Sequence, residues 1–422
     1  YNSSAGSGAL EASDFAFSIS GGTATLSSAT PSSISPNGNV YTLGIDLSGT
    51  PNGAEVLTVN PVDDSIYDTI GNEASTSQSN NTATLNDQAG PTISSVSLAS
   101  NNSSIAVTFS EAVYNTNGGS GALEASDFSF SIIGGTATLS SATPSSISPN
   151  GNVYTLGISL SGDPNGSEVL TVNPADDSIY DSDGNEASMS QSNNTATLND
   201  DIFPVITSIS LASNNSTLAV TFSEAVYNTN GGSGALEASD FVFSISLGDA
   251  TLSSTVPTSI SISGNVYTLG IGLSGTADGI EVLVVNPVDD SIYDAAGNEA
   301  STSQSNNFDE LNDKIVPIIT SVALASDNST IAVTFSEAVY NATGGSGALV
   351  ESDFAFSITG GTAYLTSGNK TPSSISISGN VYTLEITLTE TPDGSEVLTV
   401  NPKDDSIYDA QNNEASTAQN NN

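Results

Sequence analysis

Short runs in which apolar and polar residues alternate dominate this chain. Ile93-Ser-Ser-Val-Ser-Leu98 and Ile105-Ala-Val-Thr-Phe109 each put their apolar side chains on one face with a period of two, the mark of a half-buried strand. Phe128-Ser-Phe-Ser-Ile132, Thr136-Ala-Thr-Leu139, Tyr154-Thr-Leu-Gly-Ile-Ser-Leu160, Val169-Leu-Thr-Val172 and Thr195-Ala-Thr-Leu198 continue the series. Asn-Gly, Gly-Gly, Pro-Asn-Gly and Ser-Gly turn signals separate them. About seven short strands with this punctuation predict an all-β fold, an antiparallel β-sandwich. No window carries helical periodicity. Gly121-Ala-Leu-Glu-Ala-Ser126 is at most one turn leading into Asp127.

The whole pattern recurs. Tyr-Asn appears at Tyr1, Tyr114, Tyr227 and Tyr340, a period of 113 residues. Solenoid units run to roughly 20–50 residues, so this period fits a tandem array of separate Ig-like sandwich domains of about 100 residues each. The fourth copy gains two residues near Ser367-Gly-Asn-Lys370, which reads as a lengthened hairpin loop. Leu-Asn-Asp closes a unit at Asp87, Asp200 and Asp313, and a proline follows at Pro91, Pro204 and Pro317. The domains expected are therefore 1–87, 88–200, 201–313 and 314–422. Linkers of about three residues leave no slack, so successive domains are expected to touch end to end.

The array is out of phase with its ends. The first unit lacks the opening two strands and the fourth lacks its closing strand, a gap equivalent to residues 82–113. The simpler expectation is a window cut from a longer array; opening on Tyr1 without a signal peptide agrees with a processed product or an excerpt. The sharper one is that a copy of the same chain completes the open edge by strand addition.

Charge narrows the partners. Against 46 Asp and Glu stand three lysines and no arginine or histidine, a net charge of −43. Nucleic acid and anionic lipid are excluded as partners on that balance. With 36% hydrophobic residues the chain is nevertheless too apolar for a disordered acidic tail. No apolar run reaches the ~18 residues of a membrane span. Cysteine is absent, so neither disulfides nor thiolate chemistry enter. Abundant Gly, Ser, Thr and Asn with scarce Lys suit an extracellular repeat protein.

The acids are concentrated. Asn-Pro-x-Asp-Asp-Ser-Ile-Tyr-Asp, followed by Asn-Glu-Ala-Ser, occurs four times and carries Asp63, Asp64, Asp68 and Glu73; Asp176, Asp177, Asp181 and Glu186; Asp289, Asp290, Asp294 and Glu299; and Asp404, Asp405, Asp409 and Glu414. Phe-Ser-Glu adds Glu111, Glu224 and Glu337, Ser-Asp-Phe adds Asp127, Asp240 and Asp353, and the domain ends add Asp87, Asp200 and Asp313. All sit at strand ends, loops or junctions, and a sandwich gathers its loops at two poles. Calcium takes six to eight oxygen ligands in a tolerant geometry, which this set can supply. Without His or Cys, zinc, copper and iron–sulfur sites are excluded. Magnesium demands a stricter octahedron and retained waters. The bland alternative is a set of solvated loops in which Asp and Asn cap their own turns. Asp181-Ser-Asp-Gly-Asn-Glu186 resembles part of a helix–loop–helix calcium loop, but its middle Asp becomes Ile70, Ala296 and Gln411 elsewhere, and the full spacing is missing.

The repeated tyrosines and the phenylalanines of Phe-Ser-Glu and Asp-Phe read as core plugs. Asn-x-Ser/Thr sequons occur at Asn2, Asn102, Asn165, Asn215, Asn328 and Asn341 among others; in so Asn-, Ser- and Thr-rich a chain chance explains most of them, and glycosylation stays an open alternative.

Val107-Thr-Phe-Ser-Glu-Ala-Val113, then Ser-Asp-Phe, then Asp-x-x-Gly-Asn resembles the bacterial immunoglobulin-like repeats of large surface proteins, found in giant adhesins and in cyanobacterial cell-surface proteins tied to swimming. The resemblance covers essentially the whole chain. It implies an extracellular or cell-surface array of bacterial origin, often calcium-bound. The arrangement is also similar to cadherins in its logic. By that analogy Glu111 pairs with Asp200 and Glu224 with Asp313 at junctions. The fourth copy departs from the pattern with Gln411-Asn-Asn in place of Gly-Asn.

An enzyme is the weakest class. No histidine serves a triad, the lysines all lie after Asp313, and every carboxylate pair recurs rather than marking one unit. The same lysine shortage excludes Lys–Asn cross-links as a general stiffener. The leading expectation is a calcium-stiffened stalk, adhesin shaft or matrix fibre of domains about 35–45 Å long each. The alternative is an adhesive module whose loops bind a glycan or surface ligand; it predicts divergence focused on one face, and the copies are near-identical.

Overall fold

The computed structural model describes residues 1–366 and 370–422, so positions 367–369 of the lengthened loop expected near Ser367–Lys370 lie outside the described residues. The chain forms two compact units, Tyr1–Ile202 and Phe203–Asn422, each holding two repeats. As expected, the fold is all-β. Among the described residues its helical content is four three-residue 3-10 turns, among them Ala125–Asp127.

The second repeat shows the pattern in full. Ile147–Asn150, Val153–Gly157, Ser104–Phe109 and Ile93–Leu98 form a four-stranded antiparallel sheet in that order. Phe128–Ile133, Val169–Pro174 and Thr195–Thr197 form the facing sheet. Central Ser104–Phe109 buries Ile105, Val107 and Phe109 while the intervening residues stay partly exposed. Leu170 and Val172 answer from the other sheet, and all five are 0–2% exposed. The third repeat repeats the topology with Ile206–Leu211, Thr217–Phe222, Val266–Gly270 and Ile260–Ser263 against Phe241–Ser246, Val282–Pro287 and Phe308–Glu310.

Two strand assignments needed three dimensions. The run 154–160 is not continuous: Val153–Gly157 stays in the four-stranded sheet, and Leu160–Ser161 crosses to pair with Thr138–Leu139. Gly157 allows the crossing, because a Cβ there would collide with the hydroxyls of Ser145 and Ser146. Ile147–Asn150 escapes sequence inspection because its burial pattern offers no clean alternation and it contains Pro149. Proline is tolerated because the strand is at a sheet edge. Its hairpin turns on Gly151, at φ +60°, followed by Asn152, the type II′ arrangement.

The aromatic core is only partly the one expected. Phe109, Phe128 and Tyr154 pack together, with Tyr154 edge-on to Phe109 at 5.9 Å and its hydroxyl donating to the Val113 carbonyl at 3.4 Å. Phe222, Phe241 and Tyr267, and Phe335, Phe354 and Tyr382, repeat the group. The tyrosines of Tyr-Asn and Ile-Tyr-Asp are not core plugs. Tyr114 and Tyr180 are half-buried and pair through two 2.8 Å backbone hydrogen bonds, while neighbouring Ile179 fills the core.

The first and fourth repeats hold fewer paired strands among the described residues. In the first, Ile34–Asn37 and Val40–Leu43 pair only with each other, and Val40 is left exposed. In the fourth, Phe354–Thr359 and Val397–Pro402 form a two-stranded sheet where the second and third repeats have three strands.

Candidate metal centre

Asp181 is where the acidic segment turns inward. After Tyr180 the chain makes a tight loop, closed by the Asp181 N–H donating to the Asn185 carbonyl at 3.0 Å. The Asp181 carboxylate holds the loop from inside. Its Oδ1 accepts from the backbone N–H of Asp183 (2.9 Å) and Asn185 (2.8 Å), and its Oδ2 accepts from Asn185 Nδ2 (2.7 Å). This is the Asx-type self-capping that Asp favours in turns. Gly184 is required, since at φ +91° a side chain would meet the Asn117 carbonyl. Asp294 and Asp409 are held by the same kind of bonds, and all three carboxylates are 0% exposed. In the fourth copy Asn412 takes over the left-handed position at φ +73°, which Asn tolerates better than most residues. The departure from Gly-Asn therefore preserves the loop.

Two further carboxylates meet Asp181. Glu111 follows the central strand at a bend fixed by Ser110, whose N–H donates to the Thr92 carbonyl at 2.8 Å. Asp87 ends the preceding repeat and accepts from the Ala89 N–H at 2.9 Å. Between them the linker lies flat on the loop: a Cβ on Gly90 would run into the Glu186 carbonyl. Oxygens of Asp87, Glu111 and Asp181 all lie within 4.8 Å of one another. Asp313, Glu337 and Asp409 form the same triad in the second unit, where Asn413 Nδ2 also donates to the Asp313 carbonyl at 3.0 Å. The carboxylate that ends one repeat thus joins the strand and loop of the repeat after it. The cadherin-like pairing of Glu111 with Asp200 and Glu224 with Asp313 assigned the end carboxylate to its own repeat, and these groupings correct it.

Like charges this close repel by roughly 3–4 kcal/mol per pair at an effective dielectric near 20. The cost is visible in the protonation equilibria. Burial, with Asp181 and Asp87 adding to it, pushes Glu111 above its ordinary value. Burial, then Asp409 and Asp313, pushes Glu337 up to about 7. Burial likewise raises Asp313. No lysine exists in the first unit to offset the Asp87 triad.

Other expected ligands lie elsewhere. Asp176, Asp177 and Glu186 form a second, fully exposed group. Within it Asp177, at φ +53°, donates its N–H to Glu186 Oε1 at 2.7 Å, so Glu186 staples its own turn. Asp64 with Glu73, Asp290 with Glu299 and Asp405 with Glu414 make the same staple at 2.6–2.8 Å, with Asp63, Asp289 and Asp404 exposed beside them. Asp127, Asp240 and Asp353 cap the 3-10 turns, accepting from the N–H of Glu124, Glu237 and Val350 at 2.7 Å. Asp68 keeps the self-capped loop but is exposed. Asp200 closes the first unit, accepting from the Ile202 N–H at 2.9 Å, and Glu224 follows Thr217–Phe222 in the second.

Sequence inspection missed a carboxylate in every repeat. Glu168 is 0% exposed; its Oε1 accepts from the N–H groups of Thr136 (2.6 Å), Ala137 (2.9 Å) and Asn165 (3.2 Å). Burial raises its pKa, but the Ala137 and Thr136 bonds outweigh that and hold it below the usual range. Glu55, Glu281 and Glu396 take the same place. The available signal was an acid directly before the apolar run Val-Leu in all four copies.

The fold defines a class: an all-β chain of tandem sandwich repeats. No protein-family model and no curated protein matches the sequence. Among solved structures the chain is similar to invasin, a bacterial integrin-binding protein, at 13% identity and a TM-score of 0.27, over 93% of this chain and 72% of that one. It is also similar to the S-layer protein SbsC at 13% identity and a TM-score of 0.20 in two structures, spanning 59% and 53% of their lengths and 78% and 75% of its own.

Proposed function

We propose that this chain is the shaft of an extracellular or cell-surface structural protein, non-enzymatic, in which calcium ions clamp one sandwich repeat to the next. One observation carries the reading: the Asp87–Glu111–Asp181 triad, drawn from two successive repeats and recurring as Asp313–Glu337–Asp409. Three carboxylates offer up to six oxygens, the ligand type and number that calcium accepts at tolerant geometry. A divalent cation also relieves the repulsion that raises Glu111 and Glu337. Uptake fixes the end of one repeat against the strand and loop of its successor, which is what a stiff spacer needs. The recurrence of one site in near-identical copies favours spacing over recognition.

The test is calcium titration of the full chain by calorimetry, paired with small-angle scattering with and without chelator. Uptake of calcium with a longer, less flexible particle supports the proposal. Identical scattering profiles and no heat of binding would overturn it.

A further inference from the structure

Three of the four edges of the third repeat's two main sheets are blunted. The Ile206–Leu211 edge carries a bulge between Ile206 and Ser208. It leads to Asn215, whose side chain clasps Asn312: the Asn312 N–H donates to Asn215 Oδ1 at 2.9 Å, and Asn215 Nδ2 to the Asn312 carbonyl at 2.7 Å. Asn102 clasps Asn199 in the same way in the second repeat, both bonds at 2.9 Å. In the facing sheet the Phe241–Ser246 edge is capped by its own chain, the Phe243 N–H donating to the Thr255 carbonyl at 2.7 Å. Phe308–Glu310 is short and carries the acids Asp309 and Glu310.

The remaining edge, Ile260–Ser263, is open. Its hairpin partner Val266–Gly270 turns alternate residues to either side. On the central-strand side the Asn265 carbonyl accepts from the Phe222 N–H at 3.0 Å; on the edge side the Gly270 N–H donates to the Ser259 carbonyl at 2.9 Å. Tyr267 and Leu269 therefore bond the central strand, and Val266 and Thr268 the edge strand. Ile262 and Ile260 stand opposite Tyr267 and Leu269, so their own N–H and carbonyl groups point out of the sheet. The place of Ile262 belongs to Pro36 in the first repeat and Pro149 in the second, opposite Tyr41 and Tyr154. Proline there costs the hairpin no hydrogen bond and removes the outward donor, a guard against edge-to-edge pairing. The third and fourth repeats drop that guard: Ile262 and Ile377 replace the proline, each 46% exposed.

We propose that Ile260–Ser263 and its counterpart Ile375–Ser378 are sites of self-association, each pairing antiparallel with such an edge of a second copy of this chain. The occupant is argued from the strand itself. Ile-Ser-Ile-Ser is its own complement about a two-fold axis at Ser261. Ile262 of one copy meets Ile260 of the other, twice over, for four main-chain hydrogen bonds. Tyr267 and Leu269 are buried, so the isoleucines opposite them lie on the core-facing side and extend the core across the seam. Charge permits the approach. No Asp or Glu lies between Asp249 and Asp278, so two chains of net charge −43 can meet along this strand although they repel elsewhere. The third repeat has the same main-sheet strands as the second, so the edge is exposed on a sandwich with its full set.

The test is sedimentation equilibrium of the full chain in chelator and about 0.5 M sodium chloride, which removes cation bridging and screens the acidic charge. A concentration-dependent mass of a dimer or more is expected. Ile377→Pro leaves one edge and should stop at dimers. Ile262→Pro combined with Ile377→Pro should weaken association roughly tenfold or more, since each seam loses two of its four donors and two apolar side chains. Its thermal unfolding profile should match that of the parent chain, because the first and second repeats already carry proline at this place. Ser261→Glu with Ser376→Glu, on the exposed face, should weaken association as well by setting like charges across the seam. A monomer at every concentration up to the solubility limit, or unchanged association in the double variants, overturns the proposal.

Discussion

The Glu168 carboxylate stands in the space that a side chain on Gly135 would need. The double-glycine turn and the buried acid are therefore one device: Gly134 and Gly135, at φ +80° and +59°, wrap the backbone so that the Thr136 and Ala137 N–H groups point at the carboxylate. Removing the acid strands buried donors, each worth about 1–3 kcal/mol. Glu168→Ala should destabilise the second repeat by about 3 kcal/mol or more in urea unfolding at pH 7. Gly135→Ala, which forces both strain and collision, should be comparably severe. Wild-type stability in either variant would show that the contact contributes nothing.

Acid sensitivity follows from the same device. Backbone hydrogen bonds, led by that from Ala363, pull Glu396 down to about 2. A carboxylate depressed on folding contributes stability that is fully present above the ordinary glutamate value and is lost as pH falls toward the folded value. Stability of the fourth repeat should therefore decline between about pH 4.5 and about 2, monitored by circular dichroism. Glu396→Gln should flatten that part of the profile.

Glu337 behaves in the opposite sense. Its pKa is raised to about 7, first by burial and then by Asp409 and Asp313. Its contribution is present below about pH 4.5 and is lost as pH rises through about 7, because ionisation is penalised only in the folded state. If calcium binds this triad as proposed, it displaces that proton. At pH 6 binding should release close to one proton from this triad, seen as a dependence of the calorimetric heat on buffer ionisation enthalpy. In Glu337→Gln the release should vanish.

The two acidic groups of the second repeat can be told apart. Asp181 is the buried member of a triad with half-buried Asp87 and Glu111, and Asp177 lies in the exposed turn. Asp181→Asn keeps a side-chain oxygen for the Asp183 and Asn185 N–H groups but removes charge, and should weaken calcium uptake at this site at least tenfold. Asp177→Asn should leave it within about twofold. Equal effects from both would mean that the ions sit in the exposed loops.

Most strands were legible because Ser104–Phe109 and its neighbours bury one face, and a period of two records that directly. Ile147–Asn150 was not, because an edge strand that buries little has no reason to alternate. The acidic residues were legible as a set and illegible as a geometry. Asp181 and Asp177 are four residues apart and look alike in sequence, yet one loop turns the first inward to 0% exposure and leaves the second in solvent. Nor does spacing show that Asp87, 24 residues upstream, is the partner of Glu111. That depends on the linker lying against the Glu186 backbone at Gly90, a contact written only in the absence of a side chain.

The Asn102–Asn199 clasp joins residues 97 positions apart, one just beyond the strand through which the chain comes into the repeat and the other just before the chain leaves it. Tension along the polypeptide is thus borne first by a small bundle of amide hydrogen bonds loaded together, before either sheet is peeled. A tethered array pulled by its ends should yield repeat by repeat at a force that this side chain sets. The second and third repeats would each act as a shock absorber whose trigger is a single asparagine.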